Sequence, residues 1–192
     1  MRQLIRIAPV AGLFALWCAG LAGCTGFDLP SSDGGDWWDP GDGGGGGGGV
    51  ESGYCEPVGA PDTAVQQLMF EAINTYRLAN GLDELLYSDT LEEAADFQAQ
   101  DMYARSFFDH TNPDGEGPMD RAVAAGFCRP RLVGENIAYG QQSVNEVQVG
   151  WQNSPGHNAN MLRADFVFVG MGHYTAPIGT QYWVQLFGTP FE

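Results

Sequence analysis

The 192-residue chain contains no lysine. Its 8 basic residues are all arginines, set against 24 acidic ones for a formal net charge of −16. Nucleic acid and anionic lipid headgroups are bound by clustered positive charge, so this balance excludes both as electrostatic partners. Cysteine is scarce, with only 4 residues, too few for a fold built on a disulfide framework. Signatures for the commonest chemistries are missing too. There is no Gly-x-Ser-x-Gly nucleophile elbow, and the glycine-rich stretch lacks the flanking strand, helix and lysine of a phosphate-binding loop. The length admits one ordinary domain with extensions, and a hydrophobic content of 44% supplies a core. Glycine is abundant, at 28 residues, and the excess is local.

The N-terminus has the pattern of a targeting segment. Arg2 and Arg6 are basic, no acid precedes Asp28, and residues from Ile7 to Ala22 are apolar or small. That stretch is shorter than the ~20 residues of a spanning helix. Leu21-Ala22-Gly23-Cys24 closes it in the manner of a bacterial lipobox. Residues 1–23 are therefore expected to be a lipoprotein signal peptide, and Cys24 the lipidated first residue of the mature chain. A signal peptide with a chance cysteine is the alternative. The expected location is the cell envelope, extracytoplasmic and lipid-anchored, and Thr25 after the cysteine points to the outer membrane in a Gram-negative cell.

Residues 24–60 read as a disordered Gly/Asp-rich tether. After Cys24 come 7 acids and no base, and Gly43 to Gly49 is unbroken glycine. Such a segment cannot bury enough apolar surface to offset its ordering entropy. As a flexible coil it spans roughly 30–35 Å. Trp37-Trp38 is its one aromatic feature, either a sticky contact or two side chains in a disordered tail.

Residues 61–192 form the expected domain, with 17 acids and 6 bases. Asp62 is placed to cap a helix whose apolar stripe runs Val65, Leu68, Met69, Ala72, Ile73, Tyr76 and ends near Asn80-Gly81. A second helix opens at Ser88-Asp89-Thr90, with Thr90 and Glu93 as a capping box. A short helix is expected from Pro118 to Ala125. Another opens at Ser143 with Glu146 and runs to Trp151, and a last turn covers Asn158 to Leu162. Phe166–Gly172 and Tyr182–Gly188 are the two strand candidates. Helices first and strands late, without a βαβ rhythm, predict an α+β fold.

Several phrases occur in register: Asn74-Thr75-Tyr76-Arg77, Ser88-Asp89-Thr90-Leu91, Phe108-Asp109-His110-Thr111-Asn112-Pro113-Asp114-Gly115, Gly134-Glu135-Asn136-Ile137-Ala138, Trp151 through Leu162, Val169-Gly170-Met171-Gly172 and Tyr182 through Gly188. Together they resemble the bacterial branch of the CAP superfamily (cysteine-rich secretory proteins, antigen 5, pathogenesis-related proteins), also called the SCP domain. The resemblance covers about residues 62–190. It implies a three-layer α-β-α sandwich around a small antiparallel sheet, with a cleft at one end. Family members line that cleft with two histidines and two acids. By motif, His110, Glu135 and His157 match three of the four, and Ser154 stands where the remaining glutamate falls in eukaryotic relatives. Glu116 and Glu146 are the acids available to compensate.

The residues themselves leave several readings open. His110, Glu135 and His157 lie 25 and 22 positions apart, so no local ligand spacing exists. Two imidazoles and a carboxylate nonetheless suit Zn²⁺ with a position open to water. The plain alternatives are a loop histidine, a helix-start histidine and a carboxylate capping backbone N–H groups. Ser154 beside His157 is either a weak nucleophile pair or a helix terminator. His173 reads as a surface residue. Cys18 would be removed and Cys24 acylated, which leaves Cys55 and Cys128 to form a disulfide in an exported protein.

The combined expectation is an envelope-anchored domain whose His/Glu cleft binds an envelope or extracellular ligand or partner, with a metal-dependent hydrolase as the alternative. A third class is an interaction module using Trp37-Trp38. Stable anchoring takes more than one acyl chain. Mass spectrometry of the mature N-terminus is expected to find an acylated Cys24, and Cys24→Ser to release the protein from the membrane. An unmodified terminus would rule the anchor out.

Overall fold

The computed structural model describes residues 54–191. The expected signal peptide, Cys24, the glycine run and Trp37-Trp38 lie outside the described residues. Nine elements follow in order: α1 (Ala64–Ala79), β1 (Leu86–Tyr87), α2 (Asp89–Ala104), α3 (Pro118–Ala124), β2 (Pro130–Tyr139), α4 (Val144–Gln152), α5 (Pro155–Met161), β3 (Phe168–Thr175) and β4 (Gln181–Pro190).

The helix starts follow from local hydrogen bonding, though not always at the expected residue. α1 is capped by Thr63 rather than Asp62, in a reciprocal box with Gln66. α2 is capped by Ser88, whose hydroxyl accepts from Leu91 N–H. Thr90 lies inside the helix and donates to the Glu56 carboxylate at 2.6 Å. Pro155 opens α5 instead of merely ending α4, which suits a residue with no N–H to offer at a first turn.

The sheet order is β1-β3-β4-β2. β4 pairs antiparallel with both β3 and β2, while the two-residue β1 runs parallel to β3. The sheet is thus antiparallel except at one short edge. β2 was absent from the sequence expectation because its buried run Glu135-Asn136-Ile137-Ala138 shows no apolar–polar alternation. It forms because both of its faces are covered.

Alternation along β4 defines the layers. Val184 and Leu186 pack with Leu91, Ala95, Ala99 and Met102 of α2 and with Ala122 of α3. Trp183 and Phe187 pack with Met69 and Ile73 of α1, Trp151 of α4 and Met161 of α5. The result is the α-β-α sandwich implied by the family resemblance. α2 lies unusually close to β3, because a Cβ at Gly170 would overlap the Leu91–Glu92 backbone, and one at Gly172 the Ala95 backbone.

Residues 54–60, assigned to the tether by composition, pack on this domain. Cys55 and Cys128 form a disulfide with Cα atoms 5.9 Å apart. Glu56 is buried, accepting from the Ser88 hydroxyl at 2.6 Å and from Cys128 N–H at 2.9 Å. A bridge closing 73 residues contributes roughly 4 kcal/mol in the chain-entropy model.

The substitution Gly170→Val forces α2 off the sheet against rigid backbone. The expected loss is roughly 2–3 kcal/mol, read as a lower midpoint in urea unfolding of the oxidised protein. An unchanged midpoint would show that the α2–β3 contact is not tight.

Candidate functional site

β2 is an edge strand, so segments from both helical layers reach it. The α2–α3 loop brings His110 from one side, and α5 brings His157 from the other. The convergence of two layers on one strand places residues distant in sequence at one cleft.

The loop leaves α2 through a helix C-terminal turn. Ser106 takes φ 57°, and Phe107 N–H donates back to Met102 O at 3.1 Å, the arrangement usually given to glycine. Buried Asn112 folds the rest, accepting from Asp114 N–H at 3.0 Å and Glu116 N–H at 2.9 Å through its side-chain oxygen. Across the loop lies Arg121 of α3. Its guanidinium donates to His110 O at 3.1 Å, to Glu116 O at 3.0 Å, and to Glu135 Oε2 at 2.7 Å. The other oxygen, Glu135 Oε1, sits 2.7 Å from His110 Nδ1. Arg121 and Glu135 side chains are 2% and 1% exposed, whereas the His110 side chain is 49% exposed. A buried ion pair therefore holds a solvent-facing imidazole from behind.

On the opposite side, Asn136 Nδ2 donates to His157 O at 3.1 Å and to Gln185 Oε1 at 3.1 Å. Asn160 Nδ2 donates to Glu135 O and to Asn136 Oδ1, each at 3.0 Å. Arg77 of α1 caps the end of α5 by donating to Met161 O and Arg163 O. These bonds fix the backbone of α5 on β2, and with it the position of His157. His157 and Ser154 line a groove of about 270 Å³ along β2, with Phe108, Tyr139, Gln141 and Trp151 among its other walls.

The two histidines are pushed apart in titration. The Glu135 carboxylate at its Nδ1 holds His110 above the usual imidazole range, outweighing partial burial. Burial lowers His157, and the neighbouring His110 charge lowers it further. His110 therefore holds its proton to higher pH than His157 does, so the two imidazoles differ in their hydrogen-bonding roles.

This geometry does not favour the three-ligand metal reading. Both Glu135 oxygens are engaged, one by a guanidinium whose charge repels a second cation. Among the described residues no group of three or more histidine, cysteine or acidic side chains is placed to hold a metal ion. Glu135 stands behind His110 as its hydrogen-bond acceptor rather than beside it as a ligand. Glu116 and Glu146 do not replace the missing acid: Glu116 accepts from Asn112 Nδ2 at 2.8 Å and Glu146 from Gln142 N–H at 2.8 Å, both local bonds. Ser154 is at the N-cap position of α5 without a side-chain capping bond. His173, expected at the surface, is partly buried, packs on the Trp183 ring and bonds Gln181 at 2.8 Å. Sequence reasoning missed Arg121. Its one signal is scarcity, since each of six arginines in a domain with 17 acids is a candidate for a specific partner.

A family model for the cysteine-rich secretory protein (CAP) family matches residues 70–187, and the chain belongs to this family. It is 34% identical over 125 residues to the uncharacterized protein YkwD of Bacillus subtilis (strain 168), covering 65% of this chain and 47% of that protein. It is 27% identical over 125 residues to the uncharacterized membrane protein YlbC of the same bacterium, covering 65% of this chain and 34% of that one. The chain spans less than half the length of these curated relatives. Among solved structures, an outer surface protein from Borrelia burgdorferi matches with a TM-score of 0.63 at 25% identity, over 69% of this chain and 97% of that one. An extracellular protein containing an SCP domain from Bacillus anthracis matches with a TM-score of 0.60 at 26% identity, over 68% of this chain and 45% of that one.

A raised folded-state pKa means that the His110–Glu135 bond adds stability that is fully present below the unfolded histidine value and is lost as pH rises through the folded one. NMR titration of the imidazole protons is expected to give a His110 midpoint above 6.5 and a His157 midpoint below it. His110→Ala should move the His157 midpoint upward. Zinc added to the same sample at micromolar concentration should leave both imidazoles unshifted. Saturable shifts of both would show that the two imidazoles share a metal ion and would overturn this reading.

Proposed function

We propose that this CAP-domain protein is extracytoplasmic and lipid-anchored through Cys24, and that its cleft binds a ligand or partner of the cell envelope. The observation carrying this reading is the buried Arg121–Glu135 pair behind His110. It presents a half-exposed imidazole, held by a buried carboxylate, beside the groove that His157 lines. A structural histidine cluster has no need of an open groove beside it, whereas a binding site does. The location is supported by the outer-surface and extracellular descriptions of the two solved relatives. Among the described residues no helix is long and apolar enough to cross a membrane, and the attachment proposed is the lipid on Cys24.

The rival reading, a metal-dependent hydrolase acting on an envelope or extracellular substrate, is less well supported. It asks Glu135 to surrender Arg121, leaving a buried guanidinium unpaired at a cost of about 3–5 kcal/mol. It also asks for a second carboxylate where this chain has Ser154.

The test uses the full mature chain made soluble by Cys24→Ser. At neutral pH it is expected to be retained on washed envelope fractions, and His157→Ala and His110→Ala to weaken retention about tenfold each, as for loss of a charge-assisted or buried hydrogen bond. His110→Ala also removes the His110–Glu135 bond, whose contribution is present at acid pH, so folding is checked by circular dichroism and by thermal midpoints at alkaline pH, where that contribution is lost. Equal retention by all three proteins would remove the cleft from the binding function.

A further inference from the structure

The His157 groove does not end at Tyr139. A second groove, of about 380 Å³, shares Phe108 and Tyr139 with it and continues to Tyr103, Phe107 and Tyr182. Through both runs a row of aromatic rings. Phe108 and Tyr139 have centroids 4.7 Å apart, Tyr139 and Tyr182 6.0 Å, Tyr182 and Tyr103 6.1 Å, and Tyr103 and Tyr174 5.4 Å. At one end of the row Phe108 is 45% and its neighbour Tyr139 53% exposed. Exposure of large rings in contact with one another is costly unless something covers them.

The chemistry of the lining limits what that is. No aspartate, glutamate, lysine or arginine lines either groove, although the domain carries 17 acids. A cationic partner finds no counter-charge here, and an anionic one meets a strongly acidic protein. The occupant is therefore neutral. It must also carry hydrogen-bond donors, because Gln141 Oε1 is buried without a partner beside Ser154 and His157. An acyl chain would leave that acceptor unpaired at a cost. A sugar chain satisfies all of these conditions at once. The C–H faces of pyranose rings lie on aromatic rings, their hydroxyl and acetamido groups donate at the edges, and an open trough admits a polymer without needing free ends.

We propose that the joined grooves form a binding site for a linear neutral glycan, laid across Phe108, Tyr139 and Tyr182 with one sugar residue hydrogen-bonded at Gln141, Ser154 and His157. The inference rests on the cleft-binding reading above and names the ligand class for it.

The test titrates the full mature chain carrying Cys24→Ser with chitohexaose and cellohexaose, and with laurate as the acyl comparator. Saturable binding of at least one oligosaccharide is expected, weakened at least fivefold by Tyr139→Ala and by Phe108→Ala and restored by Tyr139→Phe. Both positions are half-exposed, so the alanine variants should keep the wild-type thermal midpoint. Gln141→Leu, which removes the orphan acceptor, should weaken the oligosaccharide without creating laurate binding. Binding of laurate alone, or of neither oligosaccharide, overturns the glycan assignment. Envelope retention that His157→Ala weakens, while neither oligosaccharide binds or competes with it, overturns it as well and leaves the cleft reading intact. Absence of envelope retention by the unsubstituted cleft instead removes the cleft reading, and the glycan assignment with it.

Discussion

The ion pair between Arg121 and Glu135 is the contact on which the cleft depends. Both side chains are almost wholly buried, so neither charge can be left alone without a penalty of several kcal/mol. One guanidinium ties β2, through the Glu135 carboxylate, to two points of the α2–α3 loop: the carbonyl of His110 and Glu116 O where that loop re-enters a helix. A lysine could supply the charge but not this planar set of directed N–H groups, and the chain contains none. The outcome is a loop histidine with one ring nitrogen bonded to a buried carboxylate and its side chain half exposed.

Close packing of α2 on β3 supplies the frame for that contact. Gly170 and Gly172 remove two side chains from one face of the sheet, and the helix backbone moves into the space. α2 then ends where its last turn can send Phe107 and Phe108 toward the end of β2. The opposite layer is fixed differently, by polar groups in the core. Asn136, Asn160 and Gln185 bond one another and the backbone of α5. Satisfied buried amides specify a single arrangement because any shift leaves donors unpaired. The site is thus assembled by apolar contact on one side and directional hydrogen bonds on the other.

The chemistry of the cleft follows from this asymmetry. His110, backed by a carboxylate, retains its proton to higher pH, and His157, partly buried and next to His110, loses it at lower pH. Engaging Glu135 twice takes away the free carboxylate that a metal centre or a general base would use. What remains at the surface is hydrogen-bonding capacity next to an aromatic trough lined by no aspartate, glutamate, lysine or arginine.

Much of the fold was legible from local signals. The helices were marked by caps, apolar spacing and Pro or Gly at their ends, because those effects act within a few residues. The last two strands were legible as β-branched and aromatic runs. Family phrases placed His110, Glu135 and His157 at one cleft, and the cysteine count paired Cys55 with Cys128, as the structure bears out for the disulfide. β2 was not legible, since a strand covered on both faces by different layers shows no alternation. The docking of residues 54–60 was hidden by a composition that reads as tether. Above all, the sequence determined which donors and acceptors this protein possesses, through its lack of lysine and its few, isolated histidines. Only the tertiary structure decided which carboxylate meets which cation, since Arg121, Glu135 and His110 come from three elements, and burial makes their pairing obligatory only after the layers have closed on the edge of β2.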